Sequence, residues 1–244
     1  MDTTAYLDVV QAEAHAFAEN LGQVAADAPV PTCPGWLVRD LAAHLGNVHR
    51  RITRYVLEQR RERLPAGPAG NPAAVDPAEL ATWLRTGADH LVASLRAAPA
   101  DLDCYVLFTG APPRQMWSRR MAHETAIHGI DLASAAGRAR RVEVAFAADG
   151  IDEVLTGIAR PGHCPTSPAP FTTLVAPFEV EDRWTVDVGD ADHYCVRRTG
   201  EDADLRLSGP AASLYRLLWN RGGVDDIDVD GDAGLLAHWR AWHV

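Results

Sequence analysis

Residues 119–137 read RRMAHETAIHGIDLASAAG, and they place His123, Glu124, His128 and Asp131 within about two and a half helical turns. The stretch closes on Gly137, a common residue just beyond a helix end. Its spacing is H-E-x-x-x-H, one residue longer than the H-E-x-x-H of zinc proteases. At about 100° per residue the two histidines point about 140° apart, so they do not easily chelate one ion. Glu124 and His128 are four apart and about 40° round the axis, so a carboxylate and an imidazole project side by side from one face. Two ligands do not make a site. A third has to come from another helix, and the search for it organises the rest of the chain.

Upstream of this stretch the sequence is helical. Tyr6, Val10, Ala14, Phe17, Leu21 and Val24 recur at intervals of three and four over residues 4–25, an amphipathic stripe. AADAPVPTCPGW (25–36) interrupts it, and Leu41, Leu45, Val48, Ile52 and Val56 resume the period over 37–62. The loop LPAGPAGNPAAVDP (64–77) precedes a third helix at about 77–97, and the loop around TGAPPR precedes a fourth at about 114–137. Four amphipathic helices predict a four-helix bundle over 1–141, an architecture that builds metal sites from side chains on facing helices.

The texture changes in the second half. VEVAFAADGIDEVL (142–155) continues as a helix and PGHCPTSPAP (161–170) as a linker, so 142–170 joins the bundle to a run of strands. TLVAPFEV, RWTVDVG, HYCVRRTG and DLRLSG carry the short, alternating pattern of strands. GPAASLYRLLWNRGG then reads as a helix, DDIDVDG as a strand and DAGLLAHWRAWHV as a closing helix. Residues 142–244 are therefore expected to form a smaller α+β domain, an antiparallel sheet with its helices on one face. The fold class predicted is α plus α+β.

Composition excludes several partners. A chain of 244 residues with 47% hydrophobic content buries a sizeable core, and a formal charge of −10 argues against a nucleic-acid surface. No run of about 18 apolar residues marks a membrane span, and the acidic start MDTTAYLDVVQAEA does not read as a signal peptide; a cytoplasmic protein, monomer or homodimer, is expected. Cys33, Cys104, Cys164 and Cys195 form no C-x-x-C pair and read as reduced thiols. All 23 basic residues are arginine. The missing lysines exclude Schiff-base chemistry and, since lysine codons are A-rich, point to a GC-rich genome such as those of actinobacteria.

For the third ligand the helix after PGW offers His44 and His49, five apart on opposite margins of its apolar stripe. Spacing leaves the choice between them open. Either would complete a His/Glu/His set suited to zinc or a similar divalent ion, with a coordination place left open.

PTCPGWLVRDLAAHLGNVHR (31–50), with its turn-Trp-helix-His arrangement, and HETAIHGIDLASAAG together resemble the mycothiol-dependent maleylpyruvate isomerase family. The tail LRLSGPAASLYRLLWNRGGVDDIDVDGDAGLLAHW (205–239) resembles that family's C-terminal domain. The resemblance implies a DinB-like bundle in which His44, Glu124 and His128 hold a divalent metal, usually zinc. It also implies mycothiol as the thiol cosubstrate, activated as a metal-bound thiolate and added to a small electrophile. An isomerase would add the thiol to a cis alkene, allow rotation and eliminate it to a trans product; an S-transferase would release the adduct. Two readings from other classes stand beside this one: a non-catalytic protein that binds metal or a small ligand on the same bundle, and a metal-dependent hydrolase.

Two further residues are candidates for catalysis. Asp131, nearly a turn beyond His128, is placed to accept a hydrogen bond from a ligand imidazole. Arg221 matches the W-x-R of the family, and its planar fork suits a substrate carboxylate reached across the domain interface. Trp36 reads as a packing anchor for the P-G turn, and Cys33 as inert. DIDVDGD fits the first half of a calcium loop from Asp226 but has Ala237 where a bidentate glutamate belongs, so no calcium site is expected.

Overall fold

Helix α1 (Thr3–Leu21) begins where Asp2 accepts a hydrogen bond from the Ala5 N–H at 2.8 Å, which satisfies one of the donors that a helix start leaves open. Its buried residues, Tyr6, Val10, Ala14, Phe17 and Leu21 among them, are the apolar stripe of the sequence. Helices α2 (Val38–Leu57), α3 (Pro77–Ala97) and α4 (Pro113–Ala135) complete the bundle, with α1 and α2 each packed on both α3 and α4. The computed structural model describes residues 1–65 and 77–242; most of the loop read at 64–77 lies outside them. The chain divides into two compact units, Met1–Arg140 and Arg141–Val244. No helix among the described residues is long and apolar enough to cross a membrane.

Phe17, Leu41, Leu45 and Leu84 meet in one fully buried cluster of the first unit. Each such side chain contributes about 1.5–3 kcal/mol by leaving water. A notch fastens α2 to α3: Gly46 leaves room for the Trp83 indole, and the Arg50 guanidinium lies over that ring at 3.7 Å while donating to the Trp83 carbonyl at 2.7 Å.

The segment before α2 is tightly turned. Trp36 N–H donates to Cys33 O at 3.0 Å across Pro34 and Gly35, and Gly35 has φ +85°. Proline at the second position and a left-handed residue at the third are the requirements of a type II turn. Val30 N–H donates to Trp36 O at 2.9 Å and closes the loop on itself. At its far end α4 terminates as Gly137 foretold. Gly137 has φ +65°, with hydrogen bonds from Arg138 N–H to Ala133 O (2.9 Å) and from Gly137 N–H to Ser134 O (3.0 Å), the pattern of a Schellman cap.

The second unit starts with α5 (Val144–Glu153), continued by a π-helical turn over Val154–Ile158. Strands β1 (Phe171–Pro177), β2 (Trp184–Val188), β3 (Tyr194–Arg197), β4 (Leu205–Gly209) and β5 (Asp228–Gly231) form one sheet in the order β3-β2-β1-β4-β5. Helix α6 (Ala211–Leu218) lies between β4 and β5, and α7 (Leu236–Ala241) follows β5. The sheet differs from the expectation at one pair. β1 and β4 run parallel while the other three pairs are antiparallel. Alternation in the sequence marks strands but not their neighbours; β4 joins the edge of β1 that the β2–β3 hairpin leaves free. That register puts Thr173, Val175, Trp184, Val186, Leu205 and Leu207 on one face. Helices reach the same face, since Trp184 Nε1 donates to Asp152 of α5 at 3.0 Å and Trp239 of α7 donates to Thr173 at 3.2 Å.

Candidate metal centre

Helix α4 is buried nearly all round, yet Arg120, His123, Thr125, His128 and Asp131 are among its buried residues. Buried polar groups need partners, and the partners define the site. His44 Nε2, from α2, lies 3.1 Å from Glu124 Oε1, and His128 Nε2 lies 3.4 Å from the same oxygen. The three donor atoms fall within 4.8 Å of one another. A tetrahedral ion with ligands at 2.0–2.1 Å sets its donors about 3.3 Å apart, close to the two separations from Glu124 Oε1. The His44 side chain is 36% exposed, against 12% for Glu124 and 7% for His128, so the cluster is reached from the α2 side.

The two α4 donors are held from behind. Arg120 pairs with Glu124 Oε2, leaving Oε1 to the two imidazoles. Burial alone would raise the Glu124 carboxyl, but the Arg120 charge and the two histidines hold it well below the usual carboxylate range. Burial likewise opposes charge on His128, and hydrogen bonds to Asp131 and Glu124 outweigh it, lifting the imidazole to about 9. His128 Nδ1 donates to Asp131 Oδ2 at 2.8 Å, so Nδ1 carries a proton, and Nε2 faces Glu124 Oε1. Asp131 itself is fully buried, and it also accepts from Thr32 Oγ1 at 2.6 Å and Cys33 Sγ at 3.3 Å.

Cys33, His128 and Asp131 form a second donor group of similar spread. Its members already satisfy one another as donors and acceptor. In the first group two imidazole nitrogens converge on one carboxylate oxygen, and the group reaches an exposed edge at His44.

His49 goes elsewhere. Its Nε2 lies 2.9 Å from Thr125 Oγ1, and that hydroxyl donates to Met121 O at 2.7 Å, so His49 is the donor and neutral. His123 is buried outside both donor groups. Trp36, read as a packing anchor, does pack on the core; its ring also lies 4.9 Å from that of His44 and 6.4 Å from that of His128. Arg221 lies in the second unit, where its Nη1 donates to Trp219 O at 2.7 Å. Sequence reasoning passed over Arg120, although its place four residues before Glu124 is an ion-pair spacing. It also passed over Thr32, for which no local signal exists.

Two imidazoles and a carboxylate thus meet at a solvent-reached edge of a helical bundle, in a chain that continues into an α+β unit. The chain belongs to the mycothiol maleylpyruvate isomerase family: the N-terminal domain model matches residues 7–133 and the MDMPI C-terminal domain model residues 145–238. Two crystal structures share the fold. One, of a histidine-to-alanine mutant of mycothiol-dependent maleylpyruvate isomerase, aligns with a TM-score of 0.66 at 13% identity over 96% of this chain and 95% of that one. The other, of the mycothiol-dependent maleylpyruvate isomerase, aligns with a TM-score of 0.65 at 13% identity over the same shares. No curated protein matches the chain by sequence.

Proposed function

We propose that this protein is a cytoplasmic, divalent-metal-dependent enzyme that uses mycothiol to act on a small electrophile, as an isomerase or an S-transferase. The observation that carries the reading is the convergence of His44, Glu124 and His128 at an exposed edge of the bundle, in a chain matched along most of its length by both domains of the family. His44 Nε2, Glu124 Oε1 and His128 Nε2 would hold the cation, zinc by their chemistry. When bound, such a cation lowers the pKa of a thiol beside it and so supplies a thiolate near neutral pH.

The remaining work falls to the protein's own groups. Asp131 holds the His128 Nδ1–H, which turns Nε2 toward Glu124 and His44 as the nitrogen that would give up its proton to a cation and donate its lone pair. Arg120 engages Glu124 Oε2, which restricts the carboxylate to one ligating oxygen. Trp36 borders the two histidines and forms one wall of the cluster. Arg221 is the proposed partner of a substrate carboxylate. Addition of the sulfur to an activated cis alkene would leave a single bond free to rotate, and elimination of the same thiol would restore the alkene as trans; release of the adduct instead would make the enzyme a transferase.

Metal analysis followed by calorimetric titration with mycothiol, before and after chelation, tests the reading. About one divalent cation per chain is expected, with thiol binding lost on chelation and in His44→Ala. Arg221→Gln should raise KM for an anionic substrate more than it lowers kcat. Thiol binding that survives chelation would sink the proposal. Ester or amide hydrolysis indifferent to thiol would assign a hydrolase, and a metal-loaded protein inert to electrophiles a binding protein.

A further inference from the structure

The turn before α2 sends two side chains into the back of the proposed centre. Thr32 Oγ1 donates to Asp131 Oδ1 at 2.6 Å and Cys33 Sγ to Asp131 Oδ2 at 3.3 Å, while the same Oδ2 accepts from His128 Nδ1 at 2.8 Å. We propose that Thr32 and Cys33 are positioning residues of this centre: they fix the Asp131 carboxylate that keeps His128 turned with Nε2 toward Glu124 and His44. The inference rests on the metal reading above.

Three features carry it. Asp131 is fully buried, and a carboxylate in that setting needs donors on both oxygens. His128 serves one of them. Thr32 supplies a donor on the other oxygen, and its position is fixed because the Cys33–Trp36 turn and the Val30–Trp36 hydrogen bond shape the loop. The donors are also neutral. A guanidinium at this place would add a positive charge behind a cation site, whereas a hydroxyl and a thiol hold Asp131 and leave its negative charge to act on the imidazole. Finally, the thiol serves here as a donor to a carboxylate and so keeps its proton. Cys33 is thereby cast as support, not as a ligand, although it lies close enough to His128 and Asp131 to be one.

The same loop delivers Trp36 to the His44 and His128 rings. One short turn therefore sets both the rear and one wall of the site, which gives a physical reason for a P-x-C-P-G-W sequence ahead of the helix that carries His44.

Zinc titration of the full-length protein, with cobalt(II) substitution for spectroscopy, tests the assignment. Thr32→Val should raise the zinc Kd about 10-fold, the low end of the range seen when groups behind metal ligands are lost, and Cys33→Ala, which removes only a weak thiol donor, about 3-fold. Thr32→Ser, which keeps the hydroxyl, should stay within about 2-fold of wild type and shows that the effect is not one of folding. The cobalt ligand-field bands should shift in Thr32→Val and return in Thr32→Ser. Thermal unfolding of the chelated variants reports their folding, and the Cys33→Ala titration stands as a separate test should Thr32→Val fail to fold. Wild-type affinity and spectra in folded Thr32→Val and Cys33→Ala would overturn the inference alone. A thiolate-to-cobalt charge-transfer band in wild type that Cys33→Ala removes would make Cys33 a ligand and also overturn it. A wild-type protein that takes up no zinc would overturn the metal reading and this inference together.

Discussion

His49 couples the stability of the bundle to pH in a way that can be isolated. The residue is fully buried, its Nε2–H is committed to Thr125 Oγ1, and its Nδ1 has no hydrogen-bond partner among the described residues. Burial is the main cause that lowers its pKa from 6.5 to about 3, with the Glu124 charge opposing and Arg50, His128 and His44 reinforcing. The unfolded chain therefore protonates His49 below about pH 6.5 while the folded chain does not until about pH 3. Stability is fully present above 6.5 and is lost as pH falls, at about 1.4 kcal/mol per pH unit. Between pH 6 and pH 4 this one group removes about 2.5 kcal/mol. His128 acts in the opposite sense, stabilising below about 6.5 and losing that contribution as pH rises through about 9. It remains in both proteins of a comparison, so its contribution largely cancels. The comparison is wild type against His49→Gln, whose amide nitrogen can replace the Nε2 donor without titrating. Urea unfolding at several pH values, with chelator present, should show the variant gaining on wild type by about 2.5 kcal/mol from pH 6 to pH 4. Parallel stability curves for the two proteins would refute the account of His49 as a buried neutral donor.

Glu124→Gln removes the only carboxylate among the three proposed donors and should weaken zinc binding by at least about 100-fold, roughly 3 kcal/mol, with the fold retained by circular dichroism. Gly46→Ala sets two terms against each other: alanine gains about 1 kcal/mol of helix propensity, but its Cβ would lie 2.0 Å from Trp83 Cζ3 and force the indole off α2 and out from under Arg50. Overpacking of this kind costs about 1–3 kcal/mol, so Tm should fall, and an unchanged or higher Tm would contradict the notch. Gly35→Ala must take φ +85° in the Cys33–Trp36 turn and should cost about 1–2 kcal/mol; a near-ultraviolet circular dichroism change from Trp36 would accompany it, and weaker zinc binding would follow if the loop positions Asp131.

Much of the fold follows from local pattern. The intervals of three and four in the first half and of two in the second specify helices and strands, and Gly137 and Pro113 punctuate α4 where its ends occur. The Glu124–His128 pair was legible for the same reason, since four residues on a helix fix an angle whatever surrounds it. Asp131 belongs with them, three residues beyond His128 and hydrogen-bonded to it. The partner of that pair was not legible from spacing. His44 and His49 occupy margins of one stripe, and the choice depends on how α2 is rotated and offset against α4. In the structure His44 meets Glu124 and His49 meets Thr125, neighbouring residues of α4 with opposite consequences: one imidazole at an exposed cluster of donors, the other sealed and neutral. Resemblance to a family supplied what the angle could not.

The sequence by itself determined which segments are helix or strand and which two α4 side chains share a face, because a periodic backbone turns spacing directly into direction. Tertiary structure alone decided that His44 closes the cluster, that Thr32 and Cys33 reach Asp131 across 99 and 98 positions of chain, and that β4 lies parallel beside β1. Those outcomes depend on the relative placement of elements, which is set by how whole apolar surfaces fit together and is encoded at no single position.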